Sequence, residues 1–191
     1  MERRDTSCVF NVSTFCGLAN ALRRTIIEDL PSWAPFEVKF IQNTSCQTDE
    51  FIAHRIGLVP FHKSDPSSTK NEACLQRHGP GMVYARDVVS SAFTPVFPDL
   101  PIIDLAEGQT IDIVFFFDFK TGSDHARYSV AAATGMKKTG KDQYQILFDL
   151  NNFKLNKDHV LHDCLTVLEK RVDDALLQMA NQPTIPPSSK C

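Results

Sequence analysis

The sequence has no long apolar run. The longest, Ile113-Val114-Phe115-Phe116-Phe117, falls far short of the roughly 20 residues a membrane-spanning helix needs. A secretory signal is missing too, because the charged start Met1-Glu2-Arg3-Arg4-Asp5 leads into a mixed stretch and not an apolar h-region. The protein is therefore expected to be intracellular and away from membranes. Paired cysteines are absent: Cys8, Cys16, Cys46, Cys74, Cys164 and Cys191 are scattered with no C-x-x-C among them. A disulfide framework or a four-cysteine zinc site needs tighter spacing, so reduced thiols are expected. There is also no basic excess. A formal net charge of -3 gives no general attraction to nucleic acid, and no direct nucleic-acid binding is expected.

Catalytic constellations are equally scarce. His54 and Arg55 have no nucleophile beside them, and a lone histidine on a helix is usually structural. Asp124-His125 offers a carboxylate next to a base, but neighbours on a strand point to opposite faces and no G-x-S-x-G accompanies them. The pair reads as a turn that begins a strand. His62, Cys74 and His78 are poor zinc spacing with no fourth ligand nearby, so no metal and no cofactor are expected. The acidic residues form no close-set cluster of the kind that holds paired magnesium ions. The chain is not expected to be an enzyme by itself.

What is present is a foldable chain of 191 residues, 42% apolar and 23% charged, long enough for one domain or two small lobes. Cys8, Phe10 and Val12 alternate as on a strand. Residues 17–30 place Leu18, Ala21, Leu22, Ile26 and Leu30 at helical spacing, with Ser13 or Thr14 as cap and Pro31 as stop. Residues 36–44 read as a strand. A short helix follows, capped by Thr48, with Asp49 and Glu50 in its first turn and Gly57 as a left-handed stop. Residues 62–81 read as a loop, and residues 111–119, 126–136 and 144–150 as strands.

The clearest element is a helix over residues 156–180, with Leu161, Cys164, Leu165, Leu168, Val172, Ala175, Leu176 and Met179 on one face. Leu155 and Val160 fit a hydrophobic staple around an Asn156 cap, and Pro183 ends the element. At 1.5 Å per residue the helix is about 37 Å long. That exceeds what a lobe of this size covers, so part of the stripe is expected to pack on another chain. The tail over residues 182–191 is expected to fray.

Two blocks carry a family resemblance. Leu18-Ala19-Asn20-Ala21-Leu22-Arg23-Arg24-Thr25 resembles the N-A-L-R-R helix of the alpha-like subunits of DNA-dependent multisubunit RNA polymerases: bacterial alpha, its archaeal counterpart and the eukaryotic third-largest subunit. Asn43-Thr44-Ser45 with Asp49-Glu50-Phe51-Ile52-Ala53-His54-Arg55-Ile56-Gly57-Leu58-Val59-Pro60 is similar to the longer N-T-S...D-E-F-I-A-H-R-x-G-L-x-P segment of the archaeal and eukaryotic branch. Weaker similarity continues through Gly81-Met82-Val83-Tyr84-Ala85-Arg86-Asp87, residues 102–109 and Asp124-His125-Ala126-Arg127-Tyr128-Ser129.

The resemblance implies an α+β fold. A discontinuous dimerisation domain, a sheet packed with two helices over residues 1–33 and 142–191, would be interrupted by a mainly β insert over residues 34–141. It implies an assembly role: heterodimerisation with a smaller alpha-like subunit and docking of the two largest polymerase subunits. The implied partner interface comprises Asn20, Leu22, Arg23, Arg24, Ile26, Leu161, Leu165, Leu168, Val172 and Leu176. Arg23, Arg24, Phe51, His54 and Arg55 would dock the large subunits. The insert lacks the clustered cysteines of many relatives, and no DNA-contacting domain is expected after Met179. Such a compact member fits a large DNA virus or a divergent eukaryote, with a virion, host-cell or nuclear location accordingly. The rival readings are a homodimeric binding module of the same fold outside a polymerase, and a small hydrolase.

Overall fold

The computed structural model describes residues 7–151 and 157–180. In chain order the elements are β1 (Ser7–Ser13), α1 (Cys16–Glu28), β2 (Pro31–Asn43), α2 (Asp49–Gly57), β3 (Phe61–Lys63), β4 (Glu72–His78), β5 (Gly81–Tyr84), β6 (Phe93–Pro95), β7 (Pro101–Leu105), β8 (Thr110–Thr121), β9 (Ala131–Gly140), β10 (Gln143–Leu150) and α3 (Lys157–Ala180). The class is α+β, mostly strand with a few helices.

Strict alternation builds both main sheets. On β10, Tyr144, Ile146, Phe148 and Leu150 are buried while Gln145 and Leu147 face the other way. The strand pairs antiparallel with β1 on one side and β9 on the other. On β8, Ile111, Ile113, Phe115 and Phe117 point inward, and this strand is the centre of an antiparallel sheet ordered β2-β8-β4. Two ribbons, β3-β6 and β5-β7, and an isolated bridge between Cys74 and Val89 complete the pairing among the described residues.

Each main sheet has its own core. Leu22, Ile26 and Leu30 cover Cys8, Ile146, Phe148 and Leu150, joined by Val160 and Cys164 of α3, so residues from both ends of the chain share one cluster. The other cluster joins Ile52 and Ile56 of α2 to Leu75, Ile111, Ile113, Phe115 and Phe117. There the Phe93 and Phe117 rings stack at 3.8 Å between centroids.

The end of α1 ties the two together. Its last carbonyls would be unsatisfied by the helix itself. The Ser123 N–H and Oγ donate to the Glu28 carbonyl at 2.9 and 3.0 Å, and the Ser129 Oγ donates to the Ile27 carbonyl at 3.2 Å. The turn after β8 approaches so closely that a Cβ on Gly122 would lie 2.1 Å from the Ile27 oxygen, which leaves no residue but glycine there.

Several local expectations give way to the structure. Phe15, not Ser13 or Thr14, is the N-cap of α1, and no side chain caps it. Thr48 does cap α2, its Oγ1 accepting from Phe51 N–H at 3.4 Å. Gly57 is not among the residues at positive φ; α2 ends through Leu58 in right-handed geometry. Residues 62–81 are not one loop, because β4 runs through them and places Ala73 and Leu75 in the core. Residues 126–128 form a 3-10 turn, with strand only from Ala131. Residues 131–140 form β9, which pairs antiparallel with β10. The staple at Leu155 and Asn156, the Pro183 stop and the tail fall outside the described residues.

Candidate protein-docking site

Helix α3 has two faces with different fates. Val160 and Cys164 are buried in the chain's own core, and Val167 and Leu168 pack against it. Arg171, one turn on, pairs with Asp29 at the end of α1. Every residue from 169 to 180 is exposed, and beyond Arg171 the helix continues for another nine residues, about 14 Å at 1.5 Å per residue. Along the helix Leu161, Leu165, Leu168, Val172, Leu176 and Met179 fall within about 80° of arc. Leu165, Val172, Leu176 and Met179 are 48, 56, 59 and 70% exposed. Isolated exposed leucines are ordinary, but a continuous apolar stripe on a projecting helix marks a contact surface.

The residues expected on α1 divide. Leu22 and Ile26, expected in the partner interface, are 3 and 1% exposed and covered by the chain's own sheet. The face of α1 that carries them is packed on the chain's own sheet and is not open at the surface. Asn20 and Arg23 are linked on the helix surface, the Arg23 Nε donating to Asn20 Oδ1 at 3.1 Å. Arg24 pairs with Glu28 one turn on, at 3.1 Å. Phe15 and Leu18 are further exposed apolar side chains at the start of α1, at 65 and 36%. The sequence reading gave Phe15 no role, because it precedes the periodic stretch.

On α2, Phe51 is exposed and Arg55 lies over its ring at 5.9 Å. The Arg55 guanidinium also donates to the Pro101 carbonyl at 2.7 Å, fastening α2 to β7. His54 is exposed on the same helix. The Asn43-Thr44-Ser45 block builds the approach to α2. Asn43 Nδ2 donates to Asp49 Oδ1 at 2.7 Å and to the Gln47 carbonyl at 3.0 Å, and Thr110 N–H donates to Thr44 Oγ1 at 2.8 Å. These motif residues spend their hydrogen bonds on fixing a loop.

The residues weighed for chemistry are apart or occupied. His62 lies on β3, which pairs with β6, whereas Cys74 and His78 lie on β4, which pairs with β8. Among the described residues no three His, Cys, Asp or Glu side chains converge as a metal site. The Asp124 carboxylate accepts from the Thr121 N–H and Oγ1 at 3.0 and 2.9 Å, which holds its pKa below the ordinary aspartate value. His125 Nδ1 accepts from the Arg127 backbone at 3.1 Å. Together they shape a turn, as expected, leading into the 3-10 segment. Arg127, given no role from sequence, donates to the Pro35 carbonyl at 2.9 Å and braces the start of β2.

The open apolar stripe on α3 is the feature that this geometry sets apart. No family model matches the chain. Curated proteins do. It is 36% identical over 140 residues to DNA-directed RNA polymerase subunit Rpo3 of Thermococcus kodakarensis, covering 67% of this chain and 54% of that one. It is 38% identical over 122 residues to the subunit of the same name from Pyrococcus horikoshii, covering 58 and 47%. With the Methanocaldococcus jannaschii subunit it shares 28% over 174 residues, covering 90 and 89%. The chain spans about half the length of the first two. It belongs to the alpha-like subunit family of DNA-directed RNA polymerases.

Proposed function

We propose that this chain is a non-catalytic assembly subunit of a DNA-directed RNA polymerase. It heterodimerises through α3 with a smaller alpha-like subunit and docks the two largest subunits through Arg23, Arg24, Phe51, His54 and Arg55. The carrying observation is the stripe Leu165, Val172, Leu176 and Met179, held in water by a helix whose other face is anchored in the core.

The finer architecture belongs to this reading. Separate cores, one fed from both chain ends, support a discontinuous dimerisation domain with an insert. The pairing of β9 with β10 favours an insert of residues 31–129 over the 34–141 expected from sequence. The subunit works inside the cell or virion, wherever its polymerase is built. The comparisons do not favour a homodimeric module outside a polymerase.

The test is co-purification with the smaller alpha-like subunit of the same source, using Val172→Asp/Leu176→Asp. Both side chains are more than half exposed, so the variant keeps its fold while placing two charges in the contact, each costing several kcal/mol if buried unpaired. Loss of the partner with an unchanged unfolding transition is expected. Recovery of the partner at wild-type yield would remove α3 from the interface.

A further inference from the structure

Residues 126–128 form the 3-10 turn between β8 and β9, and the turn is tied to elements of both cores. Arg127 Nη1 donates to the Pro35 carbonyl on β2 at 2.9 Å. The Tyr128 carbonyl accepts from Ser32 Oγ, at the start of β2, at 2.6 Å. Ser129 Oγ donates to the Ile27 carbonyl of α1 at 3.2 Å, and the Ser129 carbonyl accepts from Asn151 Nδ2, just after β10, at 2.7 Å.

Arg127 also meets α2. A Cβ on Gly57, the last residue of that helix, would lie 3.4 Å from Arg127 Nη1 and 3.6 Å from its Cζ. Gly57 is buried and its φ is not positive, so its use here is room: with no side chain, it lets the guanidinium lie against the helix. Alanine would come into ordinary contact, whereas a longer side chain would displace the arginine. The acceptor, Pro35, stands where the register of β2 on β8 shifts, a place where a strand departs from regular pairing. Arg127 belongs to no ion pair among the described residues, and its Nε donates to His125 Nδ1 at 3.3 Å. A planar guanidinium with its donors in a rigid fork holds two acceptors at a set angle, which a lysine ammonium does not.

Resting on the assembly role proposed above, we infer that Arg127 is a positioning residue. It brackets the end of α2 against β2 and the 3-10 turn, and so fixes how Phe51, His54 and Arg55 are presented relative to α1 and α3. It acts through Gly57 and Pro35, and not as a charge that a large subunit meets.

The experiment co-expresses the full chain with the smaller alpha-like subunit and the two largest subunits of its source, and measures how much of each is recovered per chain. Arg127→Ala and Gly57→Leu are each expected to lower recovery of the largest subunits about fivefold, the factor that one lost hydrogen bond carries, and to leave the smaller subunit at wild-type yield. Gly57→Ala should behave as wild type, Arg127→Lys should be as poor as Arg127→Ala, and the Arg127→Ala/Gly57→Leu double variant should be no worse than either single one. Rescue by lysine would show a direct charge contact and overturn the bracket. Wild-type recovery with both Arg127→Ala and Gly57→Leu would overturn it too, as would an equal loss of every subunit, which marks damage to the whole fold. A wild-type chain that retains none of the other subunits would overturn the assembly reading itself.

Discussion

Asp29, at the C-terminal end of α1, holds Arg171 of α3 in an ion pair that spans 142 positions of sequence. The aspartate side chain is 16% exposed and the arginine 59%. The contact sits at the last point where α3 touches the rest of the protein.

Arg171→Ala removes the cation and leaves a largely buried carboxylate without its partner. The expected loss is about 1 kcal/mol of unfolding free energy, because one member of the pair is well solvated. Urea unfolding reads it. Amide exchange in residues 165–171 should speed up, whereas that in β8 should not change. Equal protection in the variant would show that Cys164 and Leu168 suffice to hold the helix.

Gly122→Ala and Gly135→Ala form a matched pair. At Gly122 the new methyl would lie 2.1 Å from the Ile27 carbonyl, whereas nothing lies within 4 Å at Gly135. The first should cost about 1–3 kcal/mol, as overpacking does. The second should be neutral or slightly stabilising, since alanine restricts the unfolded chain more than glycine. Thermal unfolding of the two variants side by side distinguishes them.

Cys164 predicts an alkaline weakness. Burial, with smaller contributions from Asp163 and Asp29, pushes its thiol up to about 12 from an ordinary 9.0. Above pH 9 the unfolded chain releases this proton while the folded chain keeps it, so stability falls as pH rises from about 9 to 12. Cys164→Ala should flatten that part of the profile, though it lowers stability overall by removing buried volume. At neutral pH, peptide mapping after alkylation should show Cys16, Cys46 and Cys74 modified and Cys8 and Cys164 protected until unfolding.

The sequence made the long elements visible because each repeats its period several times. Ile111, Ile113, Phe115 and Phe117 show a strand; Leu161 through Met179 show a helix. Strands of three residues, such as Phe61–Lys63 and Phe93–Pro95, repeat too little to register. β4 was hidden because only Ala73 and Leu75 turn inward, amid a polar composition that reads as loop. The exposed apolar stripe was legible as surplus apolar area on α3. The division of labour on α1 was not: Leu22 and Ile26 have the same apolar signature whether a sheet of the same chain or a partner covers them. Leu168 does part of both, packing against the core from the edge of the seam, so Leu168→Asp damages fold and interface together, and Val172 and Leu176 are the cleaner probes.

The projecting half of α3 also sets how the chain should behave on its own. Alone, the chain keeps Leu165, Val172, Leu176 and Met179 in water, an adhesive edge open to any apolar surface, including that of a second copy. Self-association of the isolated chain is therefore expected to rise with its concentration, which sedimentation would read.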